Sequence, residues 1–468
     1  MKLPSSIGEA AAQLRSARLS STELVSACIE QIDRHEEALG AVVGRCDDTA
    51  MAAAALADRE LASGVDRGPL HGIPIGVKDV LATADAPTTA QSLAMLPGYQ
   101  GIDSAAAERL RASGAVIVAK AACSEFACGT PDANLPFRFP RNPWDPDRWA
   151  GGSSGGSASG LQAGFFLGAI GTDTGGSIRA PAAFCGVTGL KPTFGAVSRF
   201  GCVPLSYSMD HVGPMARTAA DCALLLSALA GSDARDEMTI GRGGSDHSAA
   251  LTGSLAGVRV GVDAALHSRA GVSAGMLRLF EDSLAVLQSA GAEIVEIDLP
   301  FTAELYAATR VVIASEAFEV HRQNLRDRWQ EYGRSTRLSL AKGAFIGGPD
   351  YVRASRILAG CRDRYAAVFA EVDCVASITC PIVACRLDEI GTSVTSTAPL
   401  LTSQWNGLGF PAVSVPMGMH DVPGVDGGLP VGLQLAGMAG EDALVLRAAD
   451  AFQRRTEWHT MTPSRFRR

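Results

Sequence analysis

The chain has 468 residues, 47% hydrophobic and 19% charged, which is enough apolar material for a large core and rules out a disordered polymer. Its 41 lysines and arginines against 49 aspartates and glutamates leave a net charge of −8, relieved only by a short basic end at Arg465, Arg467 and Arg468, so nucleic acid is not expected as a direct ligand. Eleven cysteines and eight histidines, with no HExxH and no paired CxxC, point to reduced thiols in a cytoplasmic protein without a metal. No stretch approaches the ~18 uninterrupted apolar residues of a membrane span, and no apolar run follows the N-terminus as in a signal peptide.

In chain order, Ser20 and Glu23 form a capping box ahead of an opening helix that buries Leu24, Val25, Cys28, Ile29 and Ile32. A second helix is predicted from Asp48 to Ser63, stopped by Gly64. Ile73, Ile75 and Val77 then alternate in a short buried strand that ends on Lys78 and Asp79. Ser104 to Ser113 reads as a helix and Val116 to Ala119 as a buried strand. Five prolines interleaved with aromatics between Gly129 and Ala150 exclude helix or central strand and predict a long ordered loop. A helix or buried strand is expected to carry Phe165 to Leu167, followed by a glycine turn at Gly171 to Ser177. Strands are predicted at 258–262, 293–299, 374–380, 412–417 and 431–435, and helices near 273–290, 303–329 and 441–454. Ser232 to Leu255, polar and glycine-bearing, reads as a flexible link or an exposed insertion. This alternation predicts an α/β fold, a mixed β-sheet flanked by helices on both faces.

Glycine is in excess, 51 residues, and concentrates in two serine-bearing loops, Gly151 to Ser157 and Thr172 to Arg179. Neither is a phosphate loop, because Ser157-Ala158 stands where Lys-Ser/Thr is required. The first matches the G-x-S-x-G elbow of Ser-His-Asp α/β-hydrolases, but the proline-rich stretch before it cannot be the required strand. His211, His321 and His459 stand in no recognisable acid–histidine context. What remains is a serine in need of a base and one lysine inside an apolar strand. A lysine serves as a base only when neutral, which requires burial to lower its ordinary pKa of ~10.4 by about 3 units. Asp79, one residue on, faces the other side of the strand and need not restore the charge.

Leu70 to Asp79, Gly151 to Ser157 and Gly171 to Pro181 together resemble the three diagnostic blocks of the amidase signature family, with the two serines at that family's spacing. The resemblance is strong from Leu70 to Pro214, returns from Asn406 to Glu457, and is weak between Ser232 and Thr395. It implies one amidase domain over 1–468, with a helical part at about 1–65 and a less defined middle region at about 232–395. It implies that Ser177 is the acyl-accepting nucleophile, Ser153 a bridging serine on a cis peptide bond, and Lys78 the neutral base, with no cofactor. The backbone of Thr174, Gly175, Gly176 and Ser177 would form the oxyanion hole, Asp173 and Arg179 would support that loop, and Ala127 and Cys128 would wall the substrate pocket. The implied function is hydrolysis of a small carboxamide through an acyl-enzyme, by a chain that meets no nucleic acid and at most pairs with itself. A second reading is the glutaminase subunit of a tRNA-dependent amidotransferase, although Thr336 to Leu340 is a poor match to the arginine-bearing segment of glutamine-specific members. A third, cysteine nucleophile chemistry, has Cys123, Cys128 and Cys185 as candidates.

Overall fold

A computed structural model describes residues 4–390 and 398–466; Arg467 and Arg468 of the basic end, and the last residues of the middle stretch, lie outside the described residues. Its strands are β1 Val42–Arg45, β2 Pro74–Lys78, β3 Val116–Ala121, β4 Gly168–Asp173, β5 Thr188–Lys191, β6 His211–Ala216, β7 Arg259–Val262, β8 Glu293–Glu296, β9 Cys374–Ile378, β10 Ala412–Val422 and β11 Val425–Gly437. They form one 11-stranded sheet in the order β1-β3-β2-β4-β6-β5-β10-β11-β9-β7-β8. β3, β2 and β4 run parallel, as do β9, β7 and β8, and antiparallel pairings join the two sets. The mixed α/β sheet expected from the sequence is therefore present.

Alternation along the strands builds two cores. Ile75, Val77, Ile117 and Ile170 enter one; Val116, Val118 and Ala169 enter the other. The first is closed by helices such as Ala105–Ala112 and Ala219–Leu229, the second by Gly155–Ala163. The opening helix, Ser21–Leu39, carries the capping box anticipated at Ser20 and Glu23, and the predicted stop at Gly64 follows the helix Asp47–Ala62. The stretch 129–150 contains no helix or strand; Trp149 is buried in it and Trp144 Nε1 donates to Cys185 O at 2.9 Å.

Three local expectations are corrected. Phe165 to Leu167 is neither helix nor strand: Gly164 closes the helix in a left-handed cap (φ 77°), and the three residues form a buried link into β4. The glycine turn begins only after Asp173, because Gly171 to Asp173 continue β4 in register with β6. Strands 412–417 and 431–435 are parts of one long hairpin, β10–β11. Among the described residues, no helix is long and apolar enough to cross a membrane.

Candidate active site

Lys78 ends β2. By the alternation that sends Ile75 and Val77 into the first core, its side chain faces the second, where the helix Gly155–Ala163 packs. Val77 pairs with Ile170 on the parallel β4, and this register brings the amine beside Thr172. Lys78 Nζ donates to Ser153 Oγ at 2.7 Å and to Thr172 Oγ1 at 2.7 Å. The side chain is fully buried, and desolvation lowers its pKa to about 8, against an opposing pull from Cys123, Cys202, Asp173 and Asp210. At pH 7.5 about a quarter of such amines are neutral, against roughly one in a thousand at the ordinary value. Asp79 returns to the opposite face, where it pairs with Lys120 at 3.4 Å and accepts the Thr89 hydroxyl, so it leaves Lys78 alone.

Ser153 follows a cis peptide bond from Gly152. Its carbonyl accepts Ser124 N–H at 3.1 Å, and the next residue, Ser154, donates its N–H to Ser177 O at 3.1 Å, which ties the two serine loops together. The glycines here allow close approach. A Cβ on Gly156 would lie 2.4 Å from both Ala122 N and Ala41 O, so this helix could not seat against the edge of β3 with any side chain at that position.

Ser177 is half-buried on the turn between β4 and the helix Arg179–Cys185. Asp173 and Arg179 shape this turn. The carboxylate accepts Gly176 N–H at 2.7 Å and Ile178 N–H at 3.1 Å, and the guanidinium grips it at 2.9 and 3.0 Å. Desolvation alone would raise the Asp173 pKa, but Arg179, Lys191 and Asn406 hold it well below the ordinary carboxylate range. One expectation fails here: Gly176 N–H is spent on Asp173, so the backbone donors left for an oxyanion are those of Thr174, Gly175 and Ser177. Ala127 ends the short turn Glu125–Ala127, which has left-handed backbone at Phe126 and Ala127 (φ 51° and 57°), and Cys128 follows it in extended conformation. The turn is tied to Ser153 through Ser124, and its Glu125 accepts Ser92 Oγ and Gly333 N–H. The poorly matching Thr336–Leu340 segment packs beside it, with Thr336 Oγ1 at 3.5 Å from Cys128 O; the Arg337 head lies over the Trp329 ring.

The competing nucleophiles lose ground on geometry and charge. Burial raises the thiols of Cys123 and Cys185 far above their ordinary range and that of Cys128 to about 11, so none is held as thiolate. His211 turns its Nδ1 to Met209 O and Asp173 O, and His321 turns its Nδ1 to Tyr332 Oη; burial depresses both rings. Among the described residues no histidine is hydrogen-bonded to Ser153 or Ser177.

Four residues that the sequence reading missed hold the site. Thr172 is the second acceptor for Lys78. Thr402 Oγ1 donates to Gly175 O, Asn406 Nδ2 donates to Asp173, and Asp210 accepts Thr174 Oγ1 at 2.6 Å. Strand alternation could have selected Thr172 once β2 and β4 were known to be neighbours; the others sit far along the chain, with no local signal.

The model of the family described as Amidase matches residues 23–446. The chain belongs to the amidase signature family. A curated relative from Chloroflexus aurantiacus, named as one of the subunits of glutamyl-tRNA(Gln) amidotransferase, is 37% identical, covering 97% of each chain. Among solved structures, the peptide amidase from Stenotrophomonas maltophilia superposes with a TM-score of 0.83 at 32% identity over 97% of each chain. The corresponding amidotransferase subunit from Thermotoga maritima does so at 0.80 and 28%, over 98% of this chain and 96% of that one. The relatives overturn one expectation, that of an amidase confined to a small-molecule amide, free of nucleic acid and at most a homodimer. They are named as one subunit of an assembly that acts on glutamyl-tRNA(Gln). The physical reason is that a net charge averaged over one amidase chain says nothing about what another subunit binds.

Proposed function

We propose that this amidase signature enzyme is the amide-cleaving subunit of an amidotransferase of the glutamyl-tRNA(Gln) kind, releasing ammonia from the side-chain amide of glutamine. Ser177 Oγ attacks the amide carbon while its proton passes to Ser153 Oγ and that of Ser153 to neutral Lys78 Nζ. The oxyanion draws on the N–H groups of Thr174, Gly175 and Ser177. Collapse breaks the C–N bond, the relay runs backwards to protonate the leaving nitrogen, and ammonia departs. Water then hydrolyses the ester on Ser177 by the same relay and frees glutamate. Lys78, with Ser153 Oγ as its partner, is the base, and Asp173 and Arg179 keep the turn in shape.

The observation that carries the chemistry is the buried Lys78 amine 2.7 Å from Ser153 Oγ, with its pKa brought down to about 8. Choice of the amidotransferase over other amidases is supported by the identity to the named relatives, 37 and 38%, against 32% for the peptide amidase at similar coverage.

The test is ammonia release from glutamine by the chain alone and in company with the other subunits of the amidotransferase. Release that needs that company and disappears in Ser177→Ala is the expected result. Full turnover by Ser177→Ala would remove the acyl-enzyme; turnover of peptide amides by the lone chain, and of glutamine in no company, would remove the amidotransferase.

A further inference from the structure

Two carboxylates clamp one short loop behind the turn that bears Ser177. Asp210, buried, accepts Leu205 N–H at 2.8 Å, Ser206 N–H at 2.9 Å and Thr174 Oγ1 at 2.6 Å. Glu316, on the helix Thr302–Asp327 of the middle region, takes the same loop from outside: Ser206 Oγ at 2.5 Å, Ser208 N–H at 3.0 Å and Ser208 Oγ at 2.8 Å. Its fourth donor is Tyr351 Oη at 2.8 Å, from the helix Gly348–Glu371. An ionised carboxylate has about four acceptor positions, so Glu316 is fully engaged. Ser206 belongs to both clamps, its N–H on Asp210 and its hydroxyl on Glu316. A continuous chain of hydrogen bonds therefore runs from the middle region through Glu316, Ser206 and Asp210 to Thr174, the residue that opens the oxyanion turn.

We propose that Glu316 is a positioning residue for the oxyanion turn, acting through Ser206 and Asp210 on Thr174; this rests on Ser177 being the nucleophile. With Thr174 Oγ1 fixed on Asp210, the N–H groups of Thr174 and Gly175 keep one direction. Release of the outer clamp lets the 205–210 loop move and takes those donors out of line with the oxygen they serve. Each well-aligned oxyanion donor contributes about 100- to 1000-fold in rate, and a misaligned one loses part of that. Glu316 touches neither serine and acts on kcat with little effect on KM.

The experiment reads the phosphonylation rate of Ser177 in the full chain by a fluorophosphonate probe, whose P=O oxygen occupies the oxyanion position and which needs no knowledge of the amide. Glu316→Ala is expected to slow labelling roughly 10- to 100-fold, with Glu316→Gln recovering most of the rate. Ser206→Ala, which removes only the shared hydroxyl, should slow it in the same direction and serves if Glu316→Ala does not fold. Because one chain of contacts is involved, adding Glu316→Ala to Thr174→Val should cost little beyond Thr174→Val alone. Labelling of Glu316→Ala at the wild-type rate, or fully additive losses in the double variant, would overturn the clamp while leaving the nucleophile in place. A wild-type chain that is labelled at Ser177 neither alone nor in company with the other amidotransferase subunits would overturn the nucleophile and this inference with it.

Discussion

A base that must lose its proton before it can act imposes a sign on the pH profile. Lys78 is lowered to about 8 by desolvation, so its working, neutral form grows as pH rises. The expected kcat/KM climbs about tenfold per pH unit below that value and levels off above it. A histidine base would place the limb elsewhere: burial holds His211 well below its ordinary value and brings His321 to about 4, so an activity driven by either would be flat from neutral pH upward. Lys78→Arg keeps a cation that cannot deprotonate and should cost about 100- to 10,000-fold in kcat, whereas His321→Gln should leave the profile unchanged. A kcat/KM that is flat between pH 6 and 9 would remove Lys78 from the proton path.

Glycines in the two serine loops look alike in sequence and differ in what surrounds them. At Gly156 the obstacle is backbone on two sides, Ala122 and Ala41, neither of which can move aside cheaply. At Gly175 the nearest atoms to an added Cβ are Ser403 Cβ at 3.8 Å and Ile313 Cδ1 at 3.9 Å, ordinary contacts. Gly156→Ala should therefore destabilise by about 3 kcal/mol or more and Gly175→Ala by less than about 1, read as the shift in denaturation midpoint. Equal shifts would mean that the helix Gly155–Ala163 can back away from β3. This contrast marks what the sequence could and could not yield. β2, β7 and the main amphipathic helices announce themselves by period, and β3 by an unbroken apolar run at Val116 to Ala119. β5 and β6 do not: Thr188-Gly189-Leu190-Lys191 and the Gly213-Pro214 pair inside β6 carry weak strand preference, and pairing with neighbours overrides it. The helix Gly348–Glu371 opens on Gly-Pro and buries only a thin stripe, Ala354, Leu358, Cys361 and Tyr365, between arginines, which hides its period. Lys78, Ser153 and Ser177 could be picked out because each lies in a local motif, while Asp210, Glu316, Thr402 and Asn406 become neighbours of that site only through the order of the sheet.

That order makes the molecule depend on a side chain linking distant parts of the chain. Arg179 is fully buried and, besides its double contact with Asp173, donates to Thr402 O at 2.9 Å, Asn406 Oδ1 at 2.7 Å and Gln434 Oε1 at 2.8 Å. Asp173 ends β4 and Gln434 lies on β11, with β6, β5 and β10 between them in the sheet, so a single guanidinium fastens the early and late parts of the chain under the oxyanion turn. Removing one member of a buried ion pair leaves the other desolvated and unpaired, which costs about 3 to 5 kcal/mol. Arg179→Ala should therefore lower the unfolding free energy by that amount, seen as a lower denaturation midpoint with no change in the dependence on denaturant, since β4 and β11 would still unfold together. Arg179→Lys should recover little, because one ammonium point charge cannot present the planar fork that reaches Asp173, Asn406, Gln434 and the Thr402 carbonyl at once. Asp173→Asn in the Arg179→Ala background removes the stranded carboxylate and should restore part of the stability while leaving the enzyme slow, because Gly176 and Ile178 lose a charged acceptor. A midpoint unchanged in Arg179→Ala would mean that the sheet alone holds the two parts together.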